Sequence, residues 1–98
     1  MLAAAPENAP ALALLGMIAA HTNDPERGVT LLERAVKLRP GVASWSANLS
    51  ALYRMLYRMQ DALNAGQEAI RLDPQNADHL VNLSLVYTDV DDREPRGQ

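Results

Sequence analysis

Three prolines stand at one fixed spacing in this chain: Pro6, Pro40 and Pro74 each follow the previous one by 34 residues. A fixed period of this length is the sequence signature of stacked helical hairpins. Each hairpin in such an array buries its apolar side only against its neighbours. The period therefore predicts an all-α row of similar units, of the kind that holds another molecule rather than transforming it.

The residues around the prolines repeat in the same register. Residues 35–39 and 69–73, which precede the second and third of these prolines, share one apolar pattern. Residues 48–50 recur letter for letter as residues 82–84. The repeat is therefore a property of the whole chain and not of the prolines alone.

In this register the chain resembles the tetratricopeptide repeat family, whose unit is two antiparallel helices, A and B, with small and large residues alternating at the packing seams. The resemblance implies an all-α helical-hairpin solenoid in the order A1-B1-A2-B2-A3. It divides a single domain, 1–98, into a first repeat at 9–42, a second at 43–76 and a partial third at 77–98. The residues that match the family's small positions are Gly16, Gly28, Ala35, Ser50, Ala62, Ala69 and Ser84.

The composition argues against several classes of function. With 9 basic and 12 acidic residues the net charge is −3, so the chain lacks the basic face that nucleic-acid binding requires. The apolar stretch at residues 11–20 is too short to span a membrane, and no basic residue precedes it as in a secretory signal. The absence of cysteine excludes disulfides and fits a reducing compartment, so we expect a cytoplasmic location and no membrane partner.

No residue pattern predicts catalysis, a cofactor or a metal site. His21 and His79 fall on different helices without an obvious carboxylate or thiolate partner, so each is expected at the surface or at a helix end. The acidic run at residues 89–94 lacks the glycine and the spacing of a calcium loop. The serines lack a histidine base and a nucleophile elbow. We therefore expect a non-catalytic protein without a cofactor.

Polar residues mark where the helices should begin and end. Asn8 is expected to cap A1, and Asn23 to end it in a left-handed conformation. Asp24 and Pro25 together should start B1, and Asn76 should cap A3. The apolar residues at helical spacing, which we expect to be buried, are Leu12, Leu15, Ile18, Ala19, Val29, Leu32, Val36, Leu38, Leu80, Leu83, Val86, Tyr87 and Val90.

The turn between A2 and B2 departs from the family pattern at Tyr57, where the family usually has glycine. This position calls for a positive φ, which a bulky residue adopts at a cost of about 1–3 kcal/mol. Tertiary packing can force the turn. Alternatively, A2 and B2 form one helix over about 44–72, because the apolar spacing continues through the turn and neither Gly nor Pro occurs in 46–65. Two chains could then exchange halves as a domain-swapped homodimer, with Leu56, Tyr57 and Arg58 as the hinge.

In the family, the A helices line a concave groove that binds extended peptides, and the resemblance implies a protein or peptide partner here. Asn48 and Asn82 are equivalent positions one repeat apart, where a side-chain amide can donate to and accept from a peptide backbone without selecting its sequence. The groove positions by register are Ala13, Leu14, Met17, Ala47, Asn48, Ala51, Arg54, Met55, Val81, Asn82, Leu85 and Asp89.

Two further functions follow from resemblances within the family. Similar asparagine ladders occur in the superhelical arm of the transferases that attach N-acetylglucosamine to Ser and Thr, so a recognition arm cut from a larger enzyme is a second hypothesis. The carboxylate clamp of chaperone-binding members is not predicted, because among the matching positions only Asn48 fits and Asp78 has the wrong charge. Self-assembly through the Tyr57 hinge is a third hypothesis.

Overall fold

The computed structural model describes residues 8–93, and the surroundings of their side chains up to residue 89. This range forms five α-helices joined by short turns: α1 (Ala9–His21), α2 (Pro25–Leu38), α3 (Ala43–Met55), α4 (Met59–Leu72) and α5 (Ala77–Arg93). The order matches A1-B1-A2-B2-A3, so the chain is the all-α helical-hairpin solenoid that the sequence predicts. None of these helices is long and apolar enough to cross a membrane.

Each helix contacts only its near neighbours in the row. Consecutive helices pack on one another, and α3 additionally contacts α1 and α5. Over residues 8–93, no Cα atom of α1 or α2 lies within 8 Å of a Cα atom of α4 or α5. The helices α1, α3 and α5 therefore form one layer, and α2 and α4 form the other.

The first hairpin begins and ends where the polar residues predict. The Ala11 amide donates to Asn8 Oδ1 at 3.0 Å, and the Arg27 amide donates to Asp24 Oδ1 at 3.3 Å. Between the two helices Asn23 has a φ of 67°, the left-handed conformation that an asparagine adopts at low cost. The predictions of these three caps are confirmed.

The turn between α3 and α4 forms despite Tyr57. Tyr57 has a φ of 61°, its amide donates to the Arg54 carbonyl at 3.0 Å, and the Arg58 amide donates to the Tyr53 carbonyl at 2.9 Å. Within one chain, the prediction of a continuous helix is therefore wrong, because packing between the two helices outweighs the local preference. The swapped dimer, which involves two chains, stays a prediction.

Small residues bring the two helices of each hairpin close together. A Cβ atom on Gly28 would lie 2.9 Å from the Gly16 carbonyl oxygen, and one on Gly16 would lie 3.0 Å from Leu32 Cγ. In the second hairpin the equivalent pair is Ser50 and Ala62, and the buried Ser50 hydroxyl donates to the Ala62 carbonyl at 2.8 Å. The first hairpin is thus held by close approach of two helix backbones, and the second by a side chain of α3 bonded to the backbone of α4.

Gly66 brings α4 close to its neighbours in the same way. The family usually has a large residue there, and the sequence alone leaves the reason for the glycine open. A Cβ atom on Gly66 would lie 2.9 Å from Leu83 Cδ1 and 3.2 Å from Ser50 Oγ. The glycine therefore provides the space into which α3 and α5 both pack.

Several apolar residues predicted to be buried are exposed. Leu49 and Leu52 are only 6% and 3% exposed, because α2 packs across that side of α3. Their equivalents in α1, Leu15 and Ile18, are about half exposed, since no described helix covers that side of α1. The predicted burial is wrong for Leu15, Ile18, Leu38, Leu80 and Tyr87. Val90 lies outside the residues whose side chains are described.

His79, expected at the surface or at a helix end, lies at a helix end and is buried. It lies in the first turn of α5, where the Asp78 amide donates to the predicted cap Asn76 at 2.9 Å. Its side chain is 6% exposed, and neither ring nitrogen has a hydrogen-bond partner among residues 8–93. Asp73 Oδ2 lies 3.8 Å from Nε2, beyond hydrogen-bond distance. His79 therefore buries two polar ring atoms that no described residue hydrogen-bonds.

We expect His79→Leu to raise the free energy of unfolding by about 1–3 kcal/mol, because the substitution removes unsatisfied buried polar atoms and keeps an apolar side chain of similar size. Urea denaturation followed by circular dichroism measures the change. His21→Leu is the matched control, since His21 is exposed, and its effect should stay within about 0.5 kcal/mol. A less stable His79→Leu chain would show that the imidazole contributes to packing.

Candidate functional site

The side of α1, α3 and α5 that faces away from α2 and α4 is the candidate binding surface, here called the inner face. Direct contacts of α3 with α1 and with α5 hold the three helices side by side. Neighbouring packed helices lie about 8–10 Å apart. Side chains at equivalent positions of these helices therefore stand in a row across the inner face.

Asn48 and Asn82 stand at such equivalent positions in α3 and α5. Both are half-buried, and neither amide forms a hydrogen bond with any residue in the 8–93 range. Leu14 occupies the same position in α1 and is largely exposed. The row across the inner face thus consists of one leucine followed by two amides with unused donors and acceptors.

Arg54 and Asp89 join α3 to α5 at one end of the inner face. Arg54 Nη1 lies 3.2 Å from Asp89 Oδ2, and both side chains are about one-third exposed. With Met55 and Tyr57 they line an open depression of about 220 Å³. A partly exposed pair of this kind stabilises by about 1 kcal/mol at most, so it adds one polar contact between α3 and α5 whose packing is set by the helices themselves.

Apolar side chains surround these polar groups. Met55, Val81 and Leu85 are exposed, each by 43% or more, and Ala51 is also exposed. Met17 is half-buried and packs against the core. The inner face therefore combines free amides, one ion pair and exposed apolar residues, which is the chemistry that a peptide backbone and its apolar side chains require.

Two predicted groove residues are not available to a partner. Ala13 and Ala47 are 4% and 6% exposed. Their equivalent in α5, Val81, is exposed, since no described helix follows α5 in the inner layer. Ala13 and Ala47 therefore pack between the helices of the row. Their predicted place in the groove is wrong.

A polar cluster that the sequence does not predict lies between α2 and α3. The Tyr53 hydroxyl donates to the Glu33 carboxylate, and the Arg58 guanidinium lies 4.7 Å from the centroid of the Tyr53 ring. Burial first, and then Glu33, raise the pKa of Tyr53 well above its usual value, so the phenol stays neutral and donates. The cluster joins two repeats and has no catalytic geometry.

The structure brings no three potential metal ligands together anywhere in residues 8–93. The ring nitrogens of His79 are enclosed, as described above, and His21 is exposed on a different helix. The candidate site is a surface formed by side chains of three helices, α1, α3 and α5.

Comparison with known proteins identifies the architecture. The sequence profile described as "Tetratricopeptide repeat" matches residues 1–43 and 15–77. Two crystal structures of MamA are 29% and 30% identical to the chain, each with a TM-score of 0.84, and cover 88% and 89% of it. The Sgt2 TPR domain from Aspergillus fumigatus, 22% identical over 89% of the chain, has a TM-score of 0.81 and shows the same fold.

The chain spans about half the length of these structures, namely 50% and 48% of the two MamA chains and 57% of the Sgt2 chain. No curated protein matches the sequence.

Proposed function

Since the chain belongs to the tetratricopeptide repeat family, whose fold mediates protein–protein interaction, we propose that it is a non-catalytic scaffold that binds an extended segment of a partner protein along its inner face. The observation that carries this proposal is the pair of free amides, Asn48 and Asn82, on two helices in direct contact.

The spacing of the two amides suits an extended peptide. Packed helices lie about 8–10 Å apart, and an extended chain advances about 3.3 Å per residue. Asn48 and Asn82 would therefore meet peptide bonds about three residues apart in the partner. Each amide can donate to a carbonyl and accept from an N–H of the same backbone, which gives affinity without strict sequence selection.

The surroundings of the amides add a preference for apolar side chains. An extended peptide directs alternate side chains towards the surface on which it lies. Ala51 and Leu85 lie one helical turn after the two amides, and Leu14 continues their row. A partner with small or aliphatic residues at alternate positions fits this face best. A recognition arm cut from a larger enzyme would use the same groove, and that hypothesis stays a prediction.

We expect Asn48→Ala and Asn82→Ala each to weaken peptide binding by roughly tenfold, because each removes up to two hydrogen bonds worth about 0.5–1.5 kcal/mol apiece. The probe is a peptide selected from a random-sequence display library against the wild-type chain. Isothermal titration calorimetry measures its affinity for each variant.

Asn64→Ala is the matched control, since Asn64 is exposed on α4, outside the inner face, and its carbonyl accepts from Gln60. Its affinity for the peptide should equal that of the wild type. The same peptide with N-methylated backbone amides should bind more weakly. Equal binding by wild type, Asn48→Ala and Asn82→Ala would contradict the proposed clamp.

A further inference from the structure

The two hairpins are closed by turns whose residues differ greatly in how well they suit the backbone conformation of the turn. In the turn between α1 and α2, Asn23 takes the left-handed position, Asp24 caps α2 with its side chain and Pro25 is the first helical residue. Each of these residues prefers the conformation that it adopts. The sequence of this segment therefore favours a turn before any tertiary contact forms.

The turn between α3 and α4 lacks all three of these features. The equivalent residues are Tyr57, Arg58 and Met59. Tyr57 is held at a φ of 61°. The Arg58 side chain accepts no capping hydrogen bond from an amide of α4, although its guanidinium pairs with Asp61 in the first turn of that helix. The neighbouring sequence, 46–65, contains neither Gly nor Pro. Local preferences at this point therefore favour continuation of the helix.

Contacts between the α3 and α4 helices, beyond those that Arg58 makes in the turn, hold the second hairpin. The Ser50 hydroxyl donates to the Ala62 carbonyl at 2.8 Å, and Gly66 admits Ser50 and Leu83 to close contact. The ion pair between Arg54 and Asp89 adds a contact from α3 to α5. All of these contacts require only that α4 and α5 pack on an α3, whether or not it belongs to the same chain.

We infer that the chain forms a domain-swapped dimer in which residues 56–58 straighten, α3 and α4 merge into one helix, and α4 and α5 of each copy pack on α3 of the other. The partner is a second copy, since only that copy presents the same α3 surface. Each half of the dimer then contains α1, α2 and α3 of one copy with α4 and α5 of the other.

The exchange conserves packing and removes strain. Contacts of α1 with α2 and of α2 with α3 remain within each chain, while those of α3 with α4 and α5 re-form between chains. In exchange, two tyrosines leave the left-handed region and two uncapped helix starts disappear. Association of identical elements by this route needs no new surface.

The first test is the molar mass by size-exclusion chromatography with light scattering, after refolding at high concentration and again across a dilution series. The wild type should be a dimer that dissociates on dilution.

Tyr57→Gly removes strain from both turns of the separated chains, so its dimer dissociation constant should rise by roughly 30-fold or more. Asn23→Gly, at the equivalent position of the first hairpin, is the matched control and should leave the constant unchanged. A wild type that stays monomeric at its highest soluble concentration would overturn the inference.

The second test distinguishes a swapped dimer from two chains that merely adhere. The chain has no cysteine, so Ser50→Cys with Gly66→Cys introduces a single cross-linking pair. Ser50 Oγ lies 3.2 Å from the position of a Cβ on Gly66, which suits a disulfide between α3 and α4. Oxidation of the dimer fraction should give a covalent dimer, and oxidation of the monomer fraction a cross-link within one chain. A dimer fraction that yields only monomers on a denaturing non-reducing gel would overturn the inference.

A third measurement does not depend on the cysteine variant. In a chain with Arg54→Asp, or in one with Asp89→Arg, positions 54 and 89 carry like charges. In a swapped heterodimer of the two variants, position 54 of each chain faces position 89 of the other, and the charges are opposite in both halves. Refolding the two variants together should enrich the heterodimer above the statistical half, as native mass spectrometry would show. A statistical distribution would indicate that each chain keeps its own α5 and would overturn the inference.

Discussion

Leu32→Ala is expected to lower the free energy of unfolding by about 2–5 kcal/mol, near the upper end of that range. The Leu32 side chain is fully buried in α2 and lies over Gly16 of α1. The helices cannot close the cavity that alanine would leave, because Gly16 and Gly28 already bring their backbones into contact. The cost therefore includes both the lost burial and the unfilled volume.

Urea denaturation followed by circular dichroism measures this loss. Leu38→Ala is the matched control in the same helix, because Leu38 is 44% exposed and its truncation should cost about 0.5 kcal/mol or less. Similar losses for the two variants would mean that the seam between α1 and α2 is not where the stability of the first repeat resides.

Gly28→Val should destabilise the chain by about 3 kcal/mol, the upper end for insertion of extra methyl groups into a packed site. The Cβ atom would lie 2.9 Å from the Gly16 carbonyl oxygen and 3.2 Å from Leu52 Cδ1. The first of these is a backbone atom, which can move away only if the two helices separate. The gain in helix propensity on replacing glycine, about 1 kcal/mol at most, cannot offset this.

Gly41→Val provides the control for this substitution. Gly41 lies in the turn before α3, and a Cβ atom there would meet nothing within 4 Å. Its stability, measured by the same denaturation, should change by about 0.5 kcal/mol or less. If Gly28→Val were as mild as Gly41→Val, the close approach of α1 and α2 would not limit the size of the residue at the seam.

The sequence predicts the helices of this chain well because hydrogen bonds between residues close in sequence determine where the helices begin and end. Asn8, Asp24 and Asn76 accept hydrogen bonds from backbone amides close by in sequence, so each cap is a property of a few residues. The seam glycines follow from the repeat register, and the structure shows the contact that each one makes. Such features need no knowledge of distant neighbours.

Burial and the second turn could not be predicted in the same way. Apolar spacing shows which side of a helix is apolar, but Leu15 is exposed and Leu49 buried only because a helix packs on one and not on the other. At Tyr57 the local preference favours helix, and contacts from Ser50 to α4 decide the outcome. Tertiary packing therefore decides both outcomes.

Part of the candidate site follows from register, and part requires three dimensions. The equivalence of Asn48 and Asn82 is visible in the sequence, whereas the freedom of their amides is not. The register places Arg54 and Asp89 in the groove, but their ion pair depends on the angle between α3 and α5. The same register places Ala13 in the groove, although the packing of the row buries it.

The restriction of contacts to near neighbours has a consequence for how such a chain can change by inheritance. Over residues 8–93, the backbones of α1 and α2 do not come within 8 Å, Cα to Cα, of those of α4 and α5. A recombination event that duplicates or deletes one 34-residue block would join surfaces that already fit, because each block ends at the same seam. The number of amides on the inner face can thus increase or decrease by one repeat at a time. The length of partner segment that the inner face contacts would change in the same steps.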